Sequence, residues 1–257
     1  MLSKIILLTA LLFGICYPLF LLGNYRETVK SGFYRFNLGL ANVVIALAVL
    51  SLWLMGADSA LLVSSAAWLL VLMAVSAYLW QKDIDHRWLL LLPSLIGLVS
   101  LTQFNRLTFD NHPVESAMSA LGGVILCASI FAMNLGHWYL NVKNLPIAHL
   151  RNFTNIFLAL LGLRFIADSY FLATTTVLYS GNDISLFAFF QVLDGFFLVI
   201  AVFFGTLLPL VIVFLVIETL KIKSTQSATG LLYVVVISVL IGEMTYKYYL
   251  VQYGIAL

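Results

Sequence analysis

Eight apolar runs of about bilayer length leave this chain few ways to fold. A hydrocarbon core about 30 Å thick needs about 20 apolar residues in helical form. Such runs occupy residues 4 to 23, 37 to 56, 59 to 80, 87 to 103, 115 to 140, 149 to 177, 185 to 219 and 227 to 253. Lipid offers peptide groups no hydrogen-bond partner, and the runs are about twice the length of a barrel strand, so each is expected to be an α-helix. Composition agrees: 63% of the 257 residues are hydrophobic, 9% are charged and the mean hydropathy is +1.06, against about 25% charged in soluble domains. The polar connections are too short for an extramembrane domain. The expected fold is therefore all-α, a polytopic integral membrane protein forming a bundle of about eight transmembrane helices in one domain, residues 1 to 257.

The loops supply an orientation, because Lys and Arg collect on the cytoplasmic side of membrane helices. Connections after the first, third, fifth and seventh runs hold Arg26, Lys30, Arg35, Lys82, Arg87, Lys143, Arg151, Lys221 and Lys223, whereas the opposite side has only Lys4 and Arg106. Miscounting one run would scramble this asymmetry, so the chain is expected N-out and C-out, in a bacterial inner membrane, with basic loops cytoplasmic. A cleaved signal peptide is not the expectation, since the first run is long and Asn24, Tyr25 and Arg26 follow it without a small-x-small site. The run from 185 to 219 is too long for one straight span and must tilt, break or project, with Gly205 and Pro209 marking a kink.

Ionisable residues inside spans are expensive and face the bundle interior by default. Five are present: Arg164 and Asp168 in the sixth run, Asp194 in the seventh, and Glu243 and Lys247 in the eighth. At 1.5 Å per residue, Asp168 and Arg164 lie about 10 and 16 Å below an outer end near Thr175. Lys247 and Glu243 lie about 9 and 15 Å below Tyr253, and Asp194 about 13 Å from Ser185. All five are thus expected in the outer half of the membrane. Arg164 with Asp168 and Glu243 with Lys247 are each spaced i to i+4 on one helix face and can partly neutralise each other. Asp194 has no such partner, so the group sums to minus one. Tyr246, flanked by Glu243 and Lys247, is the tyrosine most suited to such a pocket; Gln191 is a further polar candidate, while Tyr170, Tyr248 and Tyr249 suit an interfacial belt. A purely structural role is the competing reading, in which the pairs are clamps that hold three helices in register.

A second polar locus is expected near the inner surface, from Asn134 and His137 at the end of the fifth run and His149 and Arg151 at the start of the sixth. Lipid headgroup contact explains it more simply than haem, which needs paired histidines at one depth facing inward. His86 and His112 fall in loops, Cys16 and Cys127 sit singly in apolar runs, and no metal site is expected. Asn152-Phe153-Thr154 matches the glycosylation sequon on the wrong side of the membrane. A net charge of +2 gives nucleic acid no footing.

Two functions of different class fit. In the first, the chain is a quinone-interacting anchor of an electron-transfer complex, the redox centres sitting on partner subunits. Arg164, Lys247, Tyr246 and Gln191 would then hold the quinone, Glu243, Asp168 and Asp194 would exchange protons, and Phe165, Phe171 and Phe190 would form apolar walls. The eight-helix layout looks like the membrane anchors of polysulfide-reductase-type enzymes, a likeness of architecture that carries no motif. Any enzymatic role would be that of the membrane subunit of an oxidoreductase. In the second, the chain is a proton-coupled transporter using the same carboxylates. A lipid-headgroup enzyme at His137, His149 and Arg151, and a structural assembly subunit, are further alternatives.

Overall fold

A computed structural model describes residues 1–23, 26–81, 86–109, 113–142 and 145–257. Asn24, Tyr25, Lys82, Asp83, Asp85, Asp110, Asn111, His112 and Lys143 lie outside that set. Among the described residues, eight helices are long and apolar enough to cross a membrane, each of 22 to 29 residues. Their hydrophobic surface is spread around each helix and needs lipid on the sides that no neighbour covers: Val43, Val63, Leu70, Ile166 and Phe197 are all exposed. The chain divides into two compact units, Ile6–Asn111 and Met1–Ile5 with His112–Leu257.

The first unit holds most of α1 (Leu2–Cys16), then α2 (Arg26–Leu54), α3 (Ser59–Gln81) and α4 (Leu91–Phe109). The chain tightens to a 3-10 helix over Tyr17–Gly23, where Pro18 has no N–H to give the α-ladder. Trp68 fills the centre of the unit and is completely buried. Room for its ring comes from Gly14 and Gly97, where a Cβ would meet it at 2.9 and 2.6 Å. Two of the basic residues that set the expected orientation close helix ends: Arg35 donates to the carbonyl of Trp80 at 2.9 Å, and Arg87 to that of Leu22 at 3.1 Å. Cations favour the negative end of a helix, where carbonyls lack partners.

The second unit contains α5 (Pro113–Asn141), α6 (Ile147–Thr174), a β-hairpin of β1 (Thr176–Tyr179) and β2 (Asn182–Ser185), a single helical turn α7 (Leu186–Phe189), α8 (Leu193–Val202), α9 (Leu208–Lys221) and α10 (Thr225–Tyr253). Thr176 pairs with Ser185 and Tyr179 with Asn182. Ser180 and Gly181 turn the hairpin with φ of 52° and 82°, the two positive values of a type I′ turn.

The hairpin corrects the expected boundaries. The seventh span begins at Leu193 and not near 185, and the apolar residues before it belong to the short α7 and a turn. The overlong run therefore breaks, as its length required. Its interior carries a π-helical segment, Phe203–Leu207, joining α8 to α9. Pro209 supplies the cause, because it cannot donate to the carbonyl of Gly205 four residues back, and the ladder widens there. At the same end of the unit as the hairpin, Gly254 takes a left-handed conformation (φ 64°) and stops α10, after which the chain buries Ile255 and Leu257 in the cluster that holds Val177, Leu186 and Phe189.

Candidate functional site

Four of the five intramembrane charges meet. Arg164, Asp168, Glu243 and Lys247 are each no more than 2% exposed. Within α6, Arg164 Nε donates to Asp168 Oδ1 at 2.9 Å; within α10, Lys247 Nζ donates to Glu243 Oε2 at 2.7 Å. The pairs are joined by Arg164 Nη1, 3.7 Å from Glu243 Oε1. The guanidinium is further held by the main-chain oxygens of Met118, at 3.4 Å, and Leu257, at 2.5 Å, and lies 3.9 Å over the ring of Tyr246. Depths match, since Asp168 and Lys247 each stand six residues, about 9 Å, from the ends of α6 and α10.

The two carboxylates differ in how they are held. Asp168 accepts from Arg164 on one oxygen, and on the other from Thr206 Oγ1 and the Tyr246 hydroxyl, both at 2.7 Å. Thr206 comes from the π-helical segment, so the widened turn brings that hydroxyl to the site. Among the described residues, Glu243 accepts one hydrogen bond, from Lys247, and meets the looser approach of Arg164. Its carboxylate occupies space left by Gly122 of α5, where a Cβ would sit 2.0 Å from Oε2. Asp168 is thus fixed by three donors, and Glu243 is the less constrained acid.

Around the quartet the packing is close. Beside Arg164, Glu243, Tyr246 and Lys247 lies a void of about 10 Å³, closed by Met118, Ser119, Leu250, Ala256 and Leu257. As packed, this space holds no quinone ring. Phe165 is 43% exposed and faces away, and Phe171 and Phe190 pack against the hydrophobic cluster around Phe189 and Tyr249 rather than walling the charges.

Asp194 does not join the group. It stands exposed in the first turn of α8, where its side chain accepts from Tyr179 at 3.0 Å and its main-chain carbonyl from Tyr249. The bond to Asp194 holds the Tyr179 phenol above its ordinary pKa. The cause of the misplacement is the later start of the span, which puts Asp194 at its end. Gln191, in the turn before α8, is exposed and likewise apart from the quartet. Without Asp194 the four buried side chains carry two formal positive and two formal negative charges.

At the other end of the unit, His137 is exposed with Nδ1 3.3 Å from the Tyr233 hydroxyl, Asn134 and His149 are half-buried, and Arg151 is exposed. Among the described residues, no group of three His, Cys, Asp or Glu side chains is placed to hold a metal ion.

The uncharged partners Thr206, Gly122 and Gly242 carry no mark in the sequence reading, and Gly205 enters it only as a kink. Small residues mark close helix contacts in membranes, and that signal was present at all three glycines. The phenol supports a direct test of the network. Tyr246→Phe keeps the ring over Arg164 but removes a donor to a buried carboxylate, and a loss of about 1.5–3 kcal/mol is expected in detergent unfolding. A loss within error would show that Asp168 does not depend on that bond.

Comparison of the chain with protein-family models, with curated proteins and with solved structures gave no match in any of the three, so the function has to be argued from the site itself.

Proposed function

We propose that this integral membrane protein is a proton-coupled transporter, in which Glu243 takes up the proton. The supporting observation is the asymmetry of the quartet: Asp168 is locked by three donors, whereas Glu243 is held by Lys247 and only loosely by Arg164. The groups facing Glu243 are Arg164 from α6, Lys247 and Tyr246 on α10, and the Gly122 and Ser119 surface of α5. Protonation turns the carboxylate into a neutral acid and frees Lys247. Lys247 is then left without its counter-ion, and an ammonium unpaired in a low-dielectric interior favours whichever conformation exposes it to water. Loading a proton thereby loosens α10 from α5 and α6, and the π-helical segment offers a place for the adjacent span to bend. The protein lies with its basic loops in the cytoplasm of a bacterial cell, both ends and the quartet towards the outer side.

Infrared titration in lipid tests this. The carbonyl band of a protonated, buried carboxylic acid is expected to grow as the pH falls, to vanish in Glu243→Gln and to persist in Asp168→Asn. A band that follows Asp168, or no titration at all while the fold is intact, would defeat the reading. Glu243→Gln proteoliposomes should likewise lose solute-driven proton entry.

A quinone-interacting anchor with partner subunits remains the second reading, and a different place supports it. Between α2 and α3 runs a groove of about 430 Å³, walled by Val43, Leu69, Met73 and Trp80 and edged by Asn42 and Ser76. Asn42 Oδ1 has no hydrogen-bond partner among the described residues. A photoreactive quinone labelling α2 or α3 would favour this reading, and labelling confined to bulk lipid would remove it.

A further inference from the structure

The quartet contains more hydrogen-bond donors than its protein acceptors use. Lys247 spends one N–H on Glu243, and no second acceptor for it is found among the described residues. Ser119, on α5, is 6% exposed, and its hydroxyl has no hydrogen-bond partner among the described residues. Both side chains line the same void of about 10 Å³, together with Arg164 and Glu243. A buried hydroxyl left unpaired is destabilising, and an ammonium with unused protons more so. Burial at this depth, in a membrane, leaves no bulk solvent to offset either.

From these we infer that the void is a binding site for a single water molecule, which accepts from Lys247 Nζ and exchanges a hydrogen bond with Ser119 Oγ. Its size is at the threshold for one water, roughly 10–15 Å³ by this measure, and a buried water needs two to four polar partners. Here Ser119, Lys247 and Glu243 provide them. Charge decides against an anion, the other ligand that a serine hydroxyl and two cations could take. The four ionised side chains already sum to zero, so a chloride would leave an uncompensated negative charge in the bilayer, and a neutral molecule does not.

The role of this water rests on the proton-coupled reading: it is the donor and acceptor adjoining the Glu243–Lys247 pair, through which the proton arrives. A proton passes to the water from the outer side, the water releases one of its own to the Glu243 carboxylate, and the molecule is restored unchanged.

The test uses the full-length protein in lipid nanodiscs, at a resolution that shows ordered water, with Ser119→Val as the variant that removes the hydroxyl and fills the space. One water within hydrogen-bonding distance of Ser119 and Lys247 is expected in the native protein and not in the variant. Proton–deuteron exchange of Glu243, read by its infrared band, should slow by about tenfold in Ser119→Val, the factor carried by a hydrogen bond of ordinary strength. A dry void with Ser119 donating to a carbonyl of its own helix would overturn the site, as would bromide found there by anomalous scattering. Unchanged exchange in a folded Ser119→Val protein would overturn the relay. Failure of the proton-coupled reading looks different, since the water would then be in place while Glu243 does not titrate. Ser119→Ala, which does not crowd the void, guards against misfolding of the valine variant.

Discussion

Replacing Arg164 with methionine is expected to destabilise the protein by about 3–5 kcal/mol, the usual consequence of taking one partner from a buried ion pair. Arg164 is 1% exposed and serves four partners at once: Asp168, Glu243 and the main-chain oxygens of Met118 and Leu257. Its removal leaves the quartet at minus one and takes from Asp168 the one cation bonded to it among the described residues, with two hydroxyls left to hold it. Methionine has nearly the length of the arginine stem, so the loss reports charge more than volume. The double change Arg164→Met with Asp168→Leu should recover most of the stability, because deleting both charges removes the desolvation penalty along with the attraction. Unfolding can be followed by the thiol of Cys127, buried in α5, in a Cys16→Ala background that silences the half-buried cysteine. A single-mutant loss below about 1 kcal/mol, the range of a solvated surface pair, would mean that the four charges are not packed together.

Gly242→Ala should be the most damaging change of one methyl group. Its Cβ would lie 2.1 Å from the Cα of Gly205 and 2.2 Å from its nitrogen, so the obstacle is backbone and no side chain can swing aside. Overpacking typically costs 1–3 kcal/mol, and about the upper end is expected here, because α10 must move off the π-helical segment that carries Thr206. That movement would also part Tyr246 from Thr206, now 3.0 Å away, and from Asp168. Gly230 on the same helix is the control. Nothing lies within 4 Å of a Cβ there, so Gly230→Ala should stabilise by about 0.5–1 kcal/mol through the gain in helix propensity. Opposite signs for one substitution within one helix would follow from packing alone; equal effects would mean that α10 and the π-helical segment do not touch.

Helix pairs of this kind explain how far the sequence could be read. Spacing of i to i+4 is local, so Arg164 with Asp168 and Glu243 with Lys247 could be paired from the chain alone, and equal distances from two helix ends put the pairs at one depth. Asp194 shows the limit. Hydropathy runs on without a break from 185 and places it with them, yet a single helical turn and the bend after it take up the residues before Leu193 and leave it exposed. The Ser180-Gly181 turn was the available signal, overridden by the apolar residues around it.

By itself the sequence determined that this chain is all-α and has eight spans. Hydrophobic transfer and backbone hydrogen bonding are properties of each segment, and a bilayer leaves no competing solution for a 20-residue apolar run. Tertiary structure alone decided which faces meet: that Thr206 reaches Asp168, that three glycines make room for Glu243 and for the contact of α10 with the π-helical segment, and that Ser119 and Lys247 share a void. Rotation of a helix about its own axis is nearly free in hydropathy, because the spans are apolar on most sides, and is fixed by the steric fit of one particular neighbour.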